Sequence, residues 1–217
     1  MKYISLFSGI EAATVAWQTL GWEPVAYAEI EPFPKAVLKH HYPNVPDLGD
    51  MTKVNWKEYH HAADVVVGGS PCQAFSIAGL RKALDDPRGQ LMLEYLRACA
   101  EISLSRFAVA ERGGKGFLGQ DELSATLSTH NDQFLHTEDS MNGLTVRRLT
   151  PLECERLQGF PDGWTDIPWK GKKHAPDSPR YKALGNSMAV PVMRWIGEGI
   201  QLVEDNKGLF QENPSEQ

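Results

Sequence analysis

The chain is 217 residues long, 41% hydrophobic and 23% charged, a globular composition with enough apolar material for one sizeable core. A net charge of -6 and a sequence pI near 5.6 exclude a uniformly basic polyanion binder, so any phosphate contact must come from a local basic patch. The start, MKYISLFSGIEAA, is not of the leader type, and no apolar run approaches the ~18–20 residues of a bilayer span; three cysteines without CxxC spacing, Cys72, Cys99 and Cys154, indicate neither a disulfide framework nor a zinc site but a reducing, intracellular compartment.

In chain order, KYISLFSG reads as a short strand ending in Ser8-Gly9, and residues 10–21 as a helix stopped by Gly21. EPVAYAEIE is a second strand with an acidic end, and PFPKAVLKHHYP a helix entered through prolines and closed before Pro43. ADVVVGG is a third strand, apolar almost throughout, as in a strand covered on both faces; residues 89–102 follow as a helix with Leu91, Tyr95, Ala98 and Ile102 on one stripe. Alternating strands and helices imply parallel βαβ units and a doubly wound α/β domain. Residues 103–145 are polar and rich in Gly, Ser, Thr, Asn and Asp, with one short strand candidate, RFAVAE. TPLECERLQGF reads as a helix capped by Thr150, with Glu153 completing a capping box and Gly159 as the stop. NSMAVPVMRWIGEGIQLVED reads as a second helix, capped by Asn186 or Ser187, with Pro191 in its first turn. The tail from 206 is polar. The organisation expected is therefore 1–102 as a cofactor-binding and catalytic α/β part, 103–146 as a loop-rich stretch, 147–205 packing back on the first part, and 206–217 as a tail.

Several stretches carry candidate chemistry. SLFSGIEAA places a small-residue turn between a strand and a helix, which either only connects them or receives a polar cofactor group on backbone N–H. Glu29 and Glu31 lie at the next strand end, Glu29 about twenty residues after Gly9, where a carboxylate accepts from a ribose diol in dinucleotide folds. Asp50 in DLGDM is either a turn residue or an acceptor for an exocyclic amine. DVVVGGSPCQAFS puts Cys72 just past the carboxyl end of a buried strand, the place where α/β sheets carry their chemistry. Pro71 fixes the backbone before it, and no apolar neighbour claims the thiol as a packing group. Cys72 is thus a candidate nucleophile.

GGSPCQAFSIAG resembles the proline-cysteine-glutamine loop of the cytosine-5 DNA methyltransferases. LFSGIEAA is similar to that family's first motif, AEIEP and LGDM to its second and third, RRLTPLECERLQGFPDGW to its ninth and YKALGNSMAVPVMRWIG to its tenth. The motifs stand in the family's order, and the resemblance is especially close to bacterial and phage enzymes. It implies a Rossmann-like S-adenosylmethionine-dependent methyltransferase fold, α/β with a doubly wound, mostly parallel sheet, truncated in the middle. It also implies S-adenosyl-L-methionine as methyl donor, S-adenosyl-L-homocysteine as product, double-stranded DNA with a flipped cytosine as partner, and the cytoplasm of a bacterial or phage-infected cell; neither metal nor membrane is implied. Carried over residue by residue, Cys72 is the nucleophile. Phe7, Ser8, Gly9 and Ile10 form the cofactor turn, Glu29 holds the ribose, Ile30 packs on the adenine and Asp50 meets its amine. Pro71 borders the cofactor, and Asn186 and Ser187 close its pocket. Gln73, Ser76, Arg81, Lys82 and Arg88 lie in the loop that closes over DNA, and Arg147, Arg148 and Arg156 form a second basic edge.

The pattern departs from the family between Ile102 and Arg147. The family's glutamate-asparagine-valine motif has one candidate here, Glu111 after FAVA, followed by Arg112 and Gly113 instead; the alternative is an internal deletion that leaves the glutamate without a counterpart. The paired-arginine motif and the large target-recognition region have no room, so the sheet is expected to lack its later strands. Two functions follow: a DNA (cytosine-5-)-methyltransferase, compact or completed by a second chain that supplies recognition, or a catalytically silent or split remnant that binds S-adenosylmethionine, DNA or a partner. A nicotinamide-dependent dehydrogenase is disfavoured, because the first turn lacks GxGxxG.

Overall fold

The computed structural model describes residues 1–69, 87–102, 108–109, 134–139 and 143–206. Four parallel strands, β1 (Lys2–Leu6), β2 (Glu23–Ala28), β3 (Val65–Gly68) and β4 (Ala108–Val109), form a sheet in the order β2-β1-β3-β4. The chain leaves central β1 for β2 on one side and returns to β3 on the other, so the carboxyl ends of β1 and β3 flank the point where the winding reverses. Open α/β sheets bind ligands in that crevice.

Successive residues of a strand face opposite sides, and both sides here are covered. Tyr3, Val65 and Val67 pack with helix α1 (Ala12–Trp17), with Phe33 and Val37 of α2 (Pro32–His41), and with residues beyond 148. Ile4, Leu6, Ala28 and Val66 pack with Tyr95, Ala98, Cys99 and Ile102 of α3 (Pro87–Ile102) and with Met51 and Trp56 of two short 3-10 turns. Gly68 is required by this packing: a Cβ there would collide with the Leu6 carbonyl oxygen and press on the Tyr95 ring. The segment after α2 lies along the outer edge of β2, Tyr27 N–H donating to Pro46 O (2.9 Å) and Leu48 N–H to Tyr27 O (2.7 Å).

The second half adds an antiparallel hairpin, β5 (Phe134–Asp139) and β6 (Gly143–Arg148), and three helices, α4 (Pro151–Gln158), α5 (Asp177–Asn186) and α6 (Val190–Asp205). Helix α4 has the expected capping box, with Thr150 and Glu153 bonded reciprocally, and ends at Gly159 with φ 79°. The hairpin and α5 are elements that the sequence pattern did not disclose. They alter the ending: Asn186 closes α5 and is no cap for α6, whose N-cap is Ala189, without a side-chain bond, with Pro191 in the first turn as expected. The first helix is also shorter than expected, Ala12–Trp17 continued by a 3-10 turn to Leu20.

Three buried indoles join the halves. Trp17 Nε1 donates to Met193 O (2.7 Å), Trp22 Nε1 to Gln201 Oε1 (2.8 Å), and Trp164 Nε1 to Ile10 O (2.9 Å). The Trp164 ring is also stacked on His41 at 3.7 Å. Helix α6 lies directly on α1 because residue 197 is glycine; a Cβ there would strike Trp17 Nε1.

Candidate functional site

The turn after β1 departs from ordinary backbone. Phe7 (φ 54°), Gly9 (φ 58°) and Glu11 (φ 65°) are all left-handed, which costs about 1–2 kcal/mol for each non-glycine residue. Such outliers persist where the surroundings over-determine them and cluster at ligand sites. Here the restraint comes from the end of β2. Ser8 N–H donates to Ala28 O (3.2 Å), and Ala28 N–H to Ser8 Oγ (3.1 Å). One residue further, Gly9 N–H donates to Glu29 Oε2 (2.7 Å), while Glu29 Oε1 accepts from the N–H groups of Ile30 and Glu31, both at 2.8 Å. Glu29 is only 8% exposed. Its charge is therefore held in place at the mouth of the crevice by three backbone donors.

Next to it Ile30 stands 67% exposed at the tip of the strand. Asp47 Oδ1 accepts from Glu29 N–H (3.3 Å) and ties the 46–50 segment to the same end. Asp50 lies just beyond, its Oδ1 accepting from Thr52 N–H (3.1 Å) and Oγ1 (2.8 Å). These bonds, with Lys53, hold its carboxyl below the usual range, so it is an anionic acceptor as well as the cap of a 3-10 turn.

The predicted cofactor residues Phe7, Ser8, Gly9, Ile10, Glu29, Ile30 and Asp50 thus converge on one end of the sheet. Gly68 pairs with Leu6, so the carboxyl end of β3 lies beside the end of β1 from which the turn starts. Pro71, Cys72, Gln73, Ser76, Arg81 and Lys82 lie outside the described residues, as does Glu111; Arg88 is in the first turn of α3. Ser187, between α5 and α6, donates its Oγ–H to the Met188 carbonyl (2.9 Å), and α5 is held to the site end of β2 by Lys182 on Glu31 (3.0 Å). Arg147 and Arg156 are already committed, to Glu153 (2.7 Å) and Asp162 (2.6 Å) respectively. Arg147 holds the Glu153 carboxyl down to about 2. The remaining cysteines are packing groups: burial pushes the thiols of Cys99 and Cys154 up to about 11.

Two buried carboxylates beside the site escaped the sequence pattern. Glu11 caps α1, accepting from Thr14 N–H (3.0 Å), and is bonded to the hydroxyls of Ser5 and Thr14. Tyr3 donates to the same Thr14 hydroxyl (2.7 Å). Burial raises the Glu11 carboxyl above its ordinary value against the lowering effect of these bonds. Glu155, wholly buried, accepts from Gly163 N–H (2.8 Å) and Thr165 N–H (2.8 Å), bonds the Thr165 hydroxyl and pairs with Arg180 (3.2 Å). It fixes the loop that carries Trp164 onto the turn after β1. Only the burial of these carboxylates distinguishes them, and nothing local in the sequence signals it.

Among the described residues no group of three His, Cys, Asp or Glu is placed to hold a metal ion, and no helix is long and apolar enough to cross a membrane. Residues 1–111 and 107–202 match the family described as C-5 cytosine-specific DNA methylase. The chain is 54% identical over 107 residues to a DNA N-6-adenine-methyltransferase of Escherichia phage P1, covering 48% of this chain and 14% of that protein. It is 38% identical over 108 residues to the type II methyltransferase M.AquIA of Picosynechococcus, covering 46% and 44% respectively. The chain thus spans less than half the length of these relatives, which lend no support to a second chain. Among solved structures, the S. pombe Dnmt2 methyltransferase superposes with a TM-score of 0.65 at 15% identity, over 94% of this chain and 99% of that one. A DNA modification methyltransferase encoded within an E. coli prophage gives 0.66 at 14%, with the same coverage. At such identities the likeness shows the fold, a methyltransferase α/β fold.

Proposed function

The chain belongs to the family of C-5 cytosine-specific DNA methylases, and from that premise we propose that it transfers a methyl group to carbon 5 of cytosine in double-stranded DNA, through a covalent adduct on Cys72. One observation carries the reading. The carboxyl ends of adjacent strands β2, β1 and β3 lie side by side, bringing the strained turn and the clamped Glu29 together at the end from which the sequence after β3 runs to Pro71 and Cys72.

S-adenosyl-L-methionine, when bound, supplies an electrophilic methyl and is left as S-adenosyl-L-homocysteine. The residues present fit it: an anchored carboxylate for a diol, an exposed aliphatic surface for a purine, and a charged acceptor, Asp50, for an amine. Asn186 and Ser187 would close this pocket, and Pro71 would border it.

Carbon 5 of cytosine is a weak nucleophile, and covalent catalysis answers that. The Cys72 thiolate forms a bond to carbon 6, and the ring electrons move to carbon 5, which takes the methyl. The carbon-5 proton then leaves to a base, the C6–S bond breaks and the thiolate returns. The base must be flipped out of the duplex to reach the cysteine, with Gln73, Ser76, Arg81 and Lys82 in the segment that would close over it. Arg88, expected from the sequence in that loop, lies instead in the first turn of α3. Glu111 would hold the ring nitrogen. Its place two residues after β4, itself paired with β3, supports that role.

A second reading is favoured by the short span relative to the two relatives: a remnant that binds the cofactor or DNA without turnover. A trapping assay separates them. The protein is incubated with S-adenosylmethionine and duplex DNA carrying 5-fluorocytosine at many sites, with Cys72→Ser as control. A covalent adduct that depends on Cys72 is expected. A folded, cofactor-binding protein that gives none would overturn turnover and leave the remnant.

A further inference from the structure

Residues 168–174, PWKGKKH, join the Trp164 loop to α5. Trp169 and Lys172 exchange both backbone hydrogen bonds at 3.0 Å, so Lys170 (φ 47°) and Gly171 (φ 79°) are the two central residues of a tight hairpin turn. A turn with two left-handed residues takes Asn, Asp or Gly at its first position. Lysine is not one of these, and its one local partner is an aromatic ring. Its Nζ lies 5.5 Å from the Trp169 ring centroid, and that ring in turn packs edge-on against Phe33 at 5.3 Å, in the first turn of α2 directly after Glu29, Ile30 and Glu31. Both stems of the turn are fixed, since Ile167 and Ala175 are buried.

Lys170, Lys172 and Lys173 are therefore exposed on a rigid tip at the crevice end of the sheet, and among the described residues none of them has an ion pair. In a chain of net charge -6, an uncompensated trio of cations beside an aromatic ring is the local exception. We propose that this lysine turn is a contact surface for the phosphate backbone of DNA, holding the duplex beside the site. The proposal rests on the reading of the chain as an enzyme acting on DNA. Lys170 occupies a left-handed position that a different residue would fill with less strain, which is the mark of a side chain kept for what it binds.

The test is equilibrium binding of a short fluorescein-labelled duplex, followed by anisotropy across a range of potassium chloride concentrations. Wild type is compared with the triple variant Lys170→Gln, Lys172→Gln, Lys173→Gln. Each phosphate contact contributes a slope of about 0.9 in log K against log salt, so the variant should show a slope smaller by about 2–3, with S-adenosylmethionine affinity unchanged. The single variant Lys170→Asn gives an independent measure: its thermal midpoint should rise, because asparagine suits the turn, while DNA affinity falls. Wild-type binding with an unchanged slope in the triple variant would overturn the lysine turn and leave the proposed activity standing. No binding of duplex by the wild type at low salt would overturn both.

Discussion

At the scale of single residues, the site depends on acceptors that cannot be exchanged for their closest analogues. Glu29 accepts on both oxygens, from Gly9 on one and from Ile30 and Glu31 on the other. A glutamine has one acceptor, so Glu29→Gln turns an NH2 toward a backbone N–H whichever way it lies. An unsatisfied buried donor costs about 1–3 kcal/mol. Denaturant unfolding should show that loss, and titration calorimetry a weaker S-adenosylmethionine affinity. Glu11 gives the opposite expectation. Its folded pKa is raised, chiefly by burial. Above the unfolded value of about 4.3 the unfolded chain releases a proton that the folded one retains, so stability falls as pH rises until the folded value is passed. Glu11→Gln keeps the shape without the charge, and the stability difference between wild type and variant should shift in favour of the variant over that rise. A difference independent of pH would contradict the assignment. The turn, Glu29 and Asp50 were legible because strand end, turn and spacing are local patterns. Glu11 and Glu155 were not, because a charged residue reads as exposed until the fold is known.

At the scale of elements, the α1–α6 contact has its own test. Gly197→Ala drives a Cβ into Trp17 Nε1, which is held on the Met193 carbonyl. Overpacking of this kind costs about 1–3 kcal/mol, and about 2–4 °C in thermal midpoint per kcal/mol for a chain of this size. Gly199, in the same helix with open space around it, is the control. Gly199→Ala should be neutral or gain about 0.5–1 kcal/mol. Elements defined by their own residues were legible: α4 carries its cap, its capping box and its glycine stop within ten residues, 150–159. Helix α5 was missed because DSPRYKALGN has little apolar periodicity. It is held instead by distant partners, with Arg180 on Glu155, Tyr181 Oη donating to Leu149 O (2.7 Å), and Gln158 donating to Leu184 O (3.1 Å). Neither expected cap serves α6, since Asn186 is the last residue of α5 and Ser187 its C-cap.

At the scale of the molecule, one core is built from both halves of the sequence. Tyr3, Ile10 and Trp17 share it with Leu149, Phe160, Trp164, Leu184 and Met193. A chain ending at residue 146 would leave the Trp17, Trp22 and Trp164 contacts unmade; truncating one buried large aromatic alone costs about 3–5 kcal/mol, comparable with much of a domain's stability. The truncated chain should therefore lack near-ultraviolet circular dichroism and bind no S-adenosylmethionine, even though it retains the turn, Glu29, Asp50 and Cys72. A folded, cofactor-binding 1–146 would show that the second half is dispensable.

The Trp17 indole bonds a carbonyl 176 positions later in the chain, and that distance is also a time. A ribosome adding ~5–20 residues per second makes Trp17 about 10–35 s before its partner. Throughout that interval the nascent chain displays an unfinished apolar surface, which favours capture by chaperones. A message broken between codon 72 and the codons of α6 yields a polypeptide that already contains Cys72 but cannot close its core. Chains that cannot close their core are the ones that chaperones and proteases remove.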